Sequence, residues 1–155
     1  MAYGEPTERC AEAVLVASRV LVAVAARSLA DHDEDVSLQQ FRTLVILSEH
    51  PGLRPVELAQ HLAITPSAAT RLCDRLVRKH LITRSHQGPD RRSVVLGLSS
   101  AGRRLLDDVM ARRRTDLCRI VDQLPAERQQ ALIEAFTDFA EAADVLMTVQ
   151  PADLG

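Results

Sequence analysis

The chain has few aromatic residues: they make up 3% of its 155 residues, and tryptophan is absent. Its core must therefore be built from aliphatic side chains, which favours a mainly helical protein long enough to bury a core. The most apolar segment, residues 13–26, is interrupted by Ser18 and Arg19, so we do not expect a membrane span. Glu5 and Glu8 stand where a secretory signal would carry Lys or Arg, which predicts a cytoplasmic protein.

Cysteine is also scarce, and the three cysteines lie far apart, at positions 10, 73 and 118. This odd number and spacing predict neither a disulfide framework nor a zinc site. The five histidines show no ligand spacing, so we expect no bound metal and no cofactor. A glycine-rich phosphate loop, a Gly-x-Ser-x-Gly elbow and a His-Glu-x-x-His motif are all missing from the sequence, which argues against an enzyme.

The net charge of −2 hides an uneven distribution along the chain. Residues 54–92 hold eight Arg and Lys against three Asp and Glu, a net charge of +5. The rest of the chain holds 11 basic and 18 acidic residues, a net charge of −7. A basic segment between acidic flanks predicts a module that faces a polyanion, carried on a scaffold that does not.

The spacing of apolar residues predicts four helices in the first half of the chain. The first, residues 7–29, is apolar on most sides, which predicts packing against a second subunit as well as its own. The second begins after Ser37, where Gln40 completes a capping box, and it ends at residues 50–52. Pro55 begins a short third helix, and Thr65 caps a fourth over residues 66–79.

Residues 81–86 and 91–98 form a predicted hairpin in which Val94, Leu96 and Leu98 point inward. Ser99 caps a fifth helix, roughly residues 100–122, and Pro125 begins a sixth, roughly 125–148. We therefore predict a mainly α fold with a small antiparallel β-hairpin wing. Its winged helix-turn-helix core spans residues 37–99, between an N-terminal dimerisation helix in 1–36 and C-terminal dimerisation helices in 100–155.

The fourth predicted helix has two chemically distinct faces. One carries apolar residues at core spacing, Cys73 among them. The other carries Ser67, Thr70, Arg71, Asp74, Arg75 and Arg78. Free N–H groups at the first turn suit phosphate, and arginines one turn further suit guanine O6 and N7. A solvated basic face is the alternative, but the capped helix before it, the wing after it and the local charge favour contact with DNA.

Residues 90–102, DRRSVVLGLSSAG, resemble the wing-and-helix signature of the MarR family, D-x-R followed by a strand and L-T-x-x-G. Asp90, Arg92, Leu98 and Gly102 match the signature, and Ser99 replaces the usual Thr while keeping its capping hydroxyl. Residues 56–82 are similar to the family's DNA-binding core, and the resemblance covers essentially the whole chain.

The resemblance implies a homodimeric transcriptional regulator whose first, fifth and sixth helices form the dimer interface. Its two recognition helices would read a pseudo-palindromic operator about one DNA turn apart, roughly 34–36 Å. The resemblance also implies that Arg92 enters the minor groove and that Asp90 orients its guanidinium. The full set of candidate DNA-contacting residues is Arg54, Thr65, Ser67, Thr70, Arg71, Asp74, Arg75, Arg78, Lys79, Arg84, Asp90, Arg91 and Arg92.

Regulators similar to MarR respond to a small molecule or to cysteine oxidation. We expect a repressor released by a small aromatic or phenolic ligand, with pocket candidates Arg19, Phe41, Arg42 and Arg112, although Arg19 and Arg42 could instead form ion pairs with nearby acids. An alternative is a redox-responsive regulator that uses Cys10, although position 38 is leucine where the hydroperoxide-sensing branch has tyrosine. Another is a winged-helix protein-interaction module, which the retained basic face disfavours.

Overall fold

The computed structural model describes residues 3–30, 36–87 and 93–148, with side chains described over the same ranges except 86–87, 93 and 144–148. Its elements follow the predicted order: α1 (Glu5–Ala30), α2 (Leu38–Glu49), α3 (Pro55–Leu62), α4 (Pro66–Arg78), β1 (Ile82–Gln87), β2 (Ser93–Leu98), α5 (Ser100–Val121) and α6 (Ala126–Thr148). The predicted fold class is confirmed, and the predicted element ends that fall within the described residues differ from the observed ones by at most two residues. The predicted start of the second strand, at residue 91, lies outside the described residues.

The chain divides into two compact units, Met1–Arg114 and Thr115–Gly155, and the division falls within α5. The first unit contains an aliphatic core with Phe41 as its aromatic member. The most deeply buried large side chains of this core are Leu44, Leu47, Leu58, Leu76, Leu81, Leu96, Leu105 and Val109. The second unit contains the end of α5 and all of α6. The predicted division by role, at residues 36/37 and 99/100, stays a prediction.

The helices of the DNA-binding half begin where side chains satisfy free backbone N–H groups. Ser37 Oγ accepts from the Gln40 N–H at 3.2 Å, and Gln40 Oε1 accepts from the Ser37 N–H at 3.1 Å, which confirms the predicted capping box. Thr65 Oγ1 accepts from the Ala68 N–H at 3.3 Å at the start of α4. These local contacts explain why the sequence located both helix starts correctly.

The strands β1 and β2 pair antiparallel, with Arg84 opposite Leu96. The α2–α3 loop holds the other edge of β2: Leu96 donates its N–H to the Leu53 carbonyl at 2.8 Å and accepts from the Gly52 N–H at 3.2 Å. Of the residues predicted to point inward, Leu96 is buried and Val94 and Leu98 are half-buried, while Val95, on the opposite face of β2, is buried as well. Successive strand residues point to opposite faces, so both faces of β2 are partly covered.

The helix α1 leaves much of its apolar surface uncovered within its own unit. Only Val24, Ser28 and Leu29 are buried, while Val14, Leu15, Val16, Val20 and Val22 are exposed. Among the described helices, α1 alone is long and apolar enough to cross a membrane, with a mean hydropathy of 1.8 over an 18-residue window that is 17% buried. A helix at a protein interface meets the same two criteria, which take account only of length and composition.

Candidate nucleic-acid interface

The two faces of α4 differ in burial as well as in chemistry. Ala69, Leu72, Cys73 and Leu76 are buried in the first unit. The opposite side is polar: Ser67, Thr70, Arg71, Arg75 and Arg78 are exposed, and Asp74 is half-buried. Pro66 and the Thr65 cap fix where the helix begins. The sequence therefore placed the buried and exposed faces of α4 correctly.

The first turn of α4 keeps unused hydrogen-bond donors. The Ala68 N–H is taken by Thr65 Oγ1, the Ala69 N–H is taken by the Thr65 carbonyl, and Pro66 has no N–H to give. The Ser67 N–H has no acceptor among the described residues. The Thr65 and Ser67 hydroxyl oxygens lie 3.2 Å apart, so one proton lies between them and the other proton is free. These donors sit at the positive end of the helix, where an anion is favoured.

The arginines on the exposed face of α4 differ in their partners. Among the residues that the structure describes, Arg71 and Arg75 have no recorded hydrogen bond or ion pair. Arg78 donates from Nε to the Asp74 carbonyl at 3.4 Å, a long bond along its own helix. Two guanidinium groups are thus available for an external partner along the middle of the helix.

A salt bridge joins α4 to the wing, which we define as the β1–β2 hairpin. Arg84 Nη2 on β1 lies 2.7 Å from Asp74 Oδ1, with the two side chains 34% and 47% exposed. Burial raises the pKa of the neighbouring Cys73 thiol, while the charge and hydrogen bond of Arg84 act in the opposite direction. The fully buried Cys73 is thus a core residue. Sequence spacing gave no signal for the Asp74–Arg84 pair, because the two residues lie on different elements.

The residue before α3 forms a local ion pair. Glu57 Oε2 accepts from the Arg54 N–H at 2.8 Å, and Glu57 Oε1 accepts from Arg54 Nε at 3.0 Å. The Arg54 hydrogen bonds lower the pKa of Glu57, and the same carboxylate raises the pKa of Arg54. The exposed Arg54 guanidinium therefore already has one anionic partner before any ligand binds.

The end of α4, the start of β1 and the start of α5 meet at a junction formed by His80, Leu81, Ser99 and Gly102. His80 follows α4 in the left-handed region, with φ 56°, and its carbonyl accepts from Ser99 Oγ at 2.5 Å. Ser99 Oγ also accepts from the Gly102 N–H at 2.9 Å, while the Ser99 N–H donates to the Leu81 carbonyl at 3.1 Å. Ser99 therefore caps α5, as predicted, and also fixes α5 to the end of α4.

Gly102 completes this junction because its α carbon lies against the backbone of Leu81. A Cβ at Gly102 would lie 2.0 Å from the Leu81 carbonyl oxygen, much closer than atoms of these types approach. The Leu-Ser-x-x-Gly motif thus has a physical explanation. The serine ties α5 to the turn after α4, and the glycine permits the close approach.

The remaining predicted site residues either fall outside the described residues or lie away from the exposed face of α4. Asp90, Arg91 and Arg92 fall outside the described residues.

Of the pocket candidates, Phe41 is buried in the core, whereas Arg19, Arg42 and Arg112 are exposed. Neither Arg19 nor Arg42 forms an ion pair with a residue that the structure describes. Lys79 is partly buried, and Cys10 is exposed on α1. Over the described ranges, no three His, Cys, Asp or Glu side chains could hold a metal ion.

The helices α3 and α4, joined by a tight turn and followed by a two-stranded wing, form a winged helix-turn-helix, a fold class that binds DNA. A family model described as the MarR family matches residues 36–94. The chain belongs to the MarR family, as its sequence motif predicted. It is a DNA-binding transcriptional regulator, because the relatives below and the family itself are regulators rather than enzymes.

The relatives cover most of the chain. It is 32% identical over 111 residues to the HTH-type transcriptional repressor MdtR of Bacillus subtilis (strain 168), with 72% of each chain covered. It is 40% identical to RV1404 from Mycobacterium tuberculosis, a crystal structure that it matches with a TM-score of 0.81 over 92% of this chain and 97% of that one. Streptococcus pneumoniae FabT in complex with DNA, at 22% identity, a TM-score of 0.72 and coverage of 90% and 99%, shares the fold.

Proposed function

We propose that the protein is a homodimeric repressor that places α4 in the major groove of a pseudo-palindromic operator. One observation carries this proposal: α4 buries four residues of one face and presents unpaired arginines and free hydrogen-bond donors on the other. A helix with these properties matches phosphate at its first turn and guanine edges further along. The net charge of +5 over residues 54–92 adds attraction to the DNA backbone.

Several described candidate residues take roles that follow from their surroundings, whereas the roles of Asp90 and Arg92 rest on the family signature. The Ser67 N–H and the free hydroxyl proton of the Thr65–Ser67 pair donate to a phosphate. Arg71 and Arg75 donate to guanine, because both guanidinium groups are exposed and unpaired. Further phosphate contacts come from Arg54, Arg78, Lys79 and Arg91, whereas Arg92, oriented by Asp90, enters the minor groove. Arg54 reaches a phosphate while its guanidinium still contacts Glu57.

The apolar surface of α1 supports the homodimer. Leu15, Val16 and Val22 are each more than half exposed within the chain, and a contiguous apolar surface of this kind marks an interaction site. On α6, which lies in the other unit, Ile133, Phe136 and Phe139 are also exposed. A second copy of the chain covers both surfaces in this proposal. A regulator that must reach DNA then works in the cytoplasm, and α1 faces protein rather than lipid.

Sedimentation equilibrium at micromolar concentration tests the dimer, and flotation with lipid vesicles tests the membrane alternative. A dimer that stays behind when vesicles float supports the proposal. A monomer in solution, or protein that floats with the vesicles, contradicts it.

We also propose that a small aromatic or phenolic ligand releases the repressor from DNA. Arg19 and Arg42 support this step, because both are exposed and neither is held by an ion pair with a described residue. Arg112 and Phe41 remain candidates, although burial of Phe41 in the core limits it to shaping the wall of a pocket. A thermal-shift screen of small aromatic acids, followed by release of bound DNA, tests this step. Cys10→Ser tests the redox alternative, because only a redox sensor would lose its response to peroxide.

DNA binding is tested by fluorescence anisotropy, starting with the promoter beside the protein's own gene. We expect log affinity to fall linearly with log salt concentration, because bound phosphates release counterions. Arg71→Ala and Arg75→Ala should reduce the preference for the selected site over random DNA, whereas Arg92→Ala should weaken binding without changing the dimer. Arg128→Ala, an exposed arginine on α6, serves as a matched control. Equal losses on selected and random DNA would reassign Arg71 and Arg75 to phosphates.

A further inference from the structure

We propose that α4 reads the amino groups of bases with one row of side chains while it reads guanine with the neighbouring row. The acceptor row consists of Thr70 and Asp74, and the donor row consists of Arg71 and Arg75. Arg84 acts as a positioning residue for the acceptor row. This inference rests on the proposed placement of α4 in the major groove, and it names the base chemistry that the helix selects.

The hydroxyl of Thr70 is committed as a donor within its own helix. Thr70 Oγ1 lies 3.0 Å from the carbonyl oxygen of Pro66, and a carbonyl oxygen only accepts, so the proton must come from Thr70. The exposed Thr70 Oγ1 is then left with its lone pairs, which accept hydrogen bonds. Phosphate oxygens are also acceptors, so Thr70 in this state cannot bond to the DNA backbone. The partners left to it in the major groove are the exocyclic amino groups, cytosine N4 and adenine N6.

Asp74 is an acceptor for a different reason. It is the one carboxylate on the exposed face of α4, where a bare negative charge would repel DNA. Arg84 Nη2, 2.7 Å from Oδ1, neutralises this charge and orients the group, while the side chain stays 47% exposed. The other carboxylate oxygen is left to accept a hydrogen bond, and carboxylates in the major groove accept from cytosine N4.

The spacing of these residues makes two parallel rows. Thr70 and Asp74 are four residues apart, as are Arg71 and Arg75, and residues at this spacing lie on the same side of a helix. The major-groove edge of a cytosine–guanine pair presents the N4 donor of cytosine beside the O6 and N7 acceptors of guanine. An acceptor row beside a donor row is complementary to that edge. An adenine–thymine pair matches it less well, because its amino group lies between single acceptors.

The first test compares Thr70→Val with Thr70→Ser on the selected operator and on operators changed one base pair at a time. Valine keeps the size and branching of threonine without its hydroxyl, and serine keeps the hydroxyl. We expect Thr70→Val to lose about three- to tenfold preference at one base pair, the effect of a single hydrogen bond, and Thr70→Ser to keep it. Parallel weakening on every sequence, with a shallower salt dependence, would make Thr70 a phosphate ligand and overturn the proposal.

Base analogues then identify the amino group. The cytosine of that pair is replaced by 2-pyrimidinone, or the adenine by purine, each of which lacks only the amino group. Wild-type affinity should fall to the level of Thr70→Val on one of these duplexes, whereas the variant should bind normal and altered duplexes equally. Comparing proteins on the same duplex cancels any effect of the analogue on duplex stability. Wild-type protein that is indifferent to both analogues contradicts the proposal.

The role of Arg84 is tested with Arg84→Met, Asp74→Asn and the double variant. Arg84→Met leaves the Asp74 carboxylate without its partner on the face proposed to meet DNA, so the general affinity should fall. The double variant restores the wild-type net charge and should recover most of that affinity, but not the preference at the base pair read by Asp74. If Arg84 only held the structure together, the double variant should recover no affinity for DNA. If its role were only electrostatic, Arg84→Met should keep the preference at the base pair read by Asp74. Either result refutes the positioning role.

These outcomes separate the inference from the function on which it rests. Wild-type protein that binds no DNA, or binds without salt dependence, contradicts the proposed function itself. If wild-type protein binds with clear sequence preference, and Thr70→Val and Asp74→Asn keep that preference in full, the proposed role of the acceptor row is contradicted while the proposed function stands.

Discussion

Replacing Gly102 with alanine would place a methyl group where the backbone of Leu81 already lies. The new Cβ would lie 2.0 Å from the Leu81 carbonyl oxygen and 2.9 Å from its carbonyl carbon. Because close non-bonded contacts between carbon and oxygen are about 3.3 Å long, the two backbones must separate by more than about 1 Å. The Ser99 N–H donates to the same carbonyl at 3.1 Å, so this movement would stretch or break that hydrogen bond.

The size of the effect follows from opposing contributions. Overpacking of a well-packed site costs about 1–3 kcal/mol, and loss of the Ser99–Leu81 hydrogen bond costs about 1 kcal/mol. Alanine regains up to about 1 kcal/mol, because it is the better helix former. We expect Gly102→Ala to lower the free energy of unfolding by about 1–3 kcal/mol, and the Tm by roughly 2–12 °C for a chain of this size.

Thermal and urea unfolding, followed by circular dichroism at one protein concentration, measure this loss. Gly97→Ala is a matched control on the wing, because its Cβ would meet Thr83 Oγ1 at an ordinary 3.5 Å. We expect the control to stay within about 0.5 kcal/mol of wild type. If Gly102→Ala were as stable as Gly97→Ala, the close approach to Leu81 would not explain the glycine of the motif.

Four further predictions concern individual residues. His80→Gly should raise the free energy of unfolding by about 0.5–1 kcal/mol, because glycine adopts the left-handed backbone at this position without strain; lower stability in urea would contradict this. Iodoacetamide should label Cys10 or Cys118 before Cys73 in the folded protein, as mass spectrometry would show. Because the raised pKa of Cys73 keeps its thiol protonated in the fold, stability should fall as pH rises through the alkaline range, and Cys73→Ala should lack this fall. The pKa of Glu57 is lowered, so its contribution is present at neutral pH and is lost on acidification. Glu57→Gln should therefore lose stability at neutral pH but not in acid, and equal loss at both would refute the linkage.

The order of elements could be predicted because its signals are local. Ser37 and Gln40 cap α2 three residues apart, and Thr65 caps α4 by accepting from the N–H of Ala68, also three residues on. Such contacts form within one helical turn, so the sequence displays both partners side by side. The burial of Val95 was missed because the covering of a strand on both faces depends on distant elements rather than on its own alternation.

The candidate site, like the fold, could be predicted from the sequence only in part. The exposed polar face of α4 was visible in the sequence, but the state of each polar group was not. Asp74 and Arg84 were both expected to contact DNA, and the structure joins them to each other across a helix and a strand. Thr70 was expected to be a general DNA contact, and the structure shows its hydroxyl donating to the Pro66 carbonyl of its own helix.

By itself, the sequence determined the class of fold, the family and which face of α4 is polar, because hydrophobic period, helix caps and the wing motif are properties of neighbouring residues. Only the tertiary structure decided which charges neutralise each other and which donors stay free. It also showed why Ser99 and Gly102 occur together at the start of α5. These outcomes depend on where separate elements meet, and the junction of Leu81 with Gly102 joins residues that no local pattern connects.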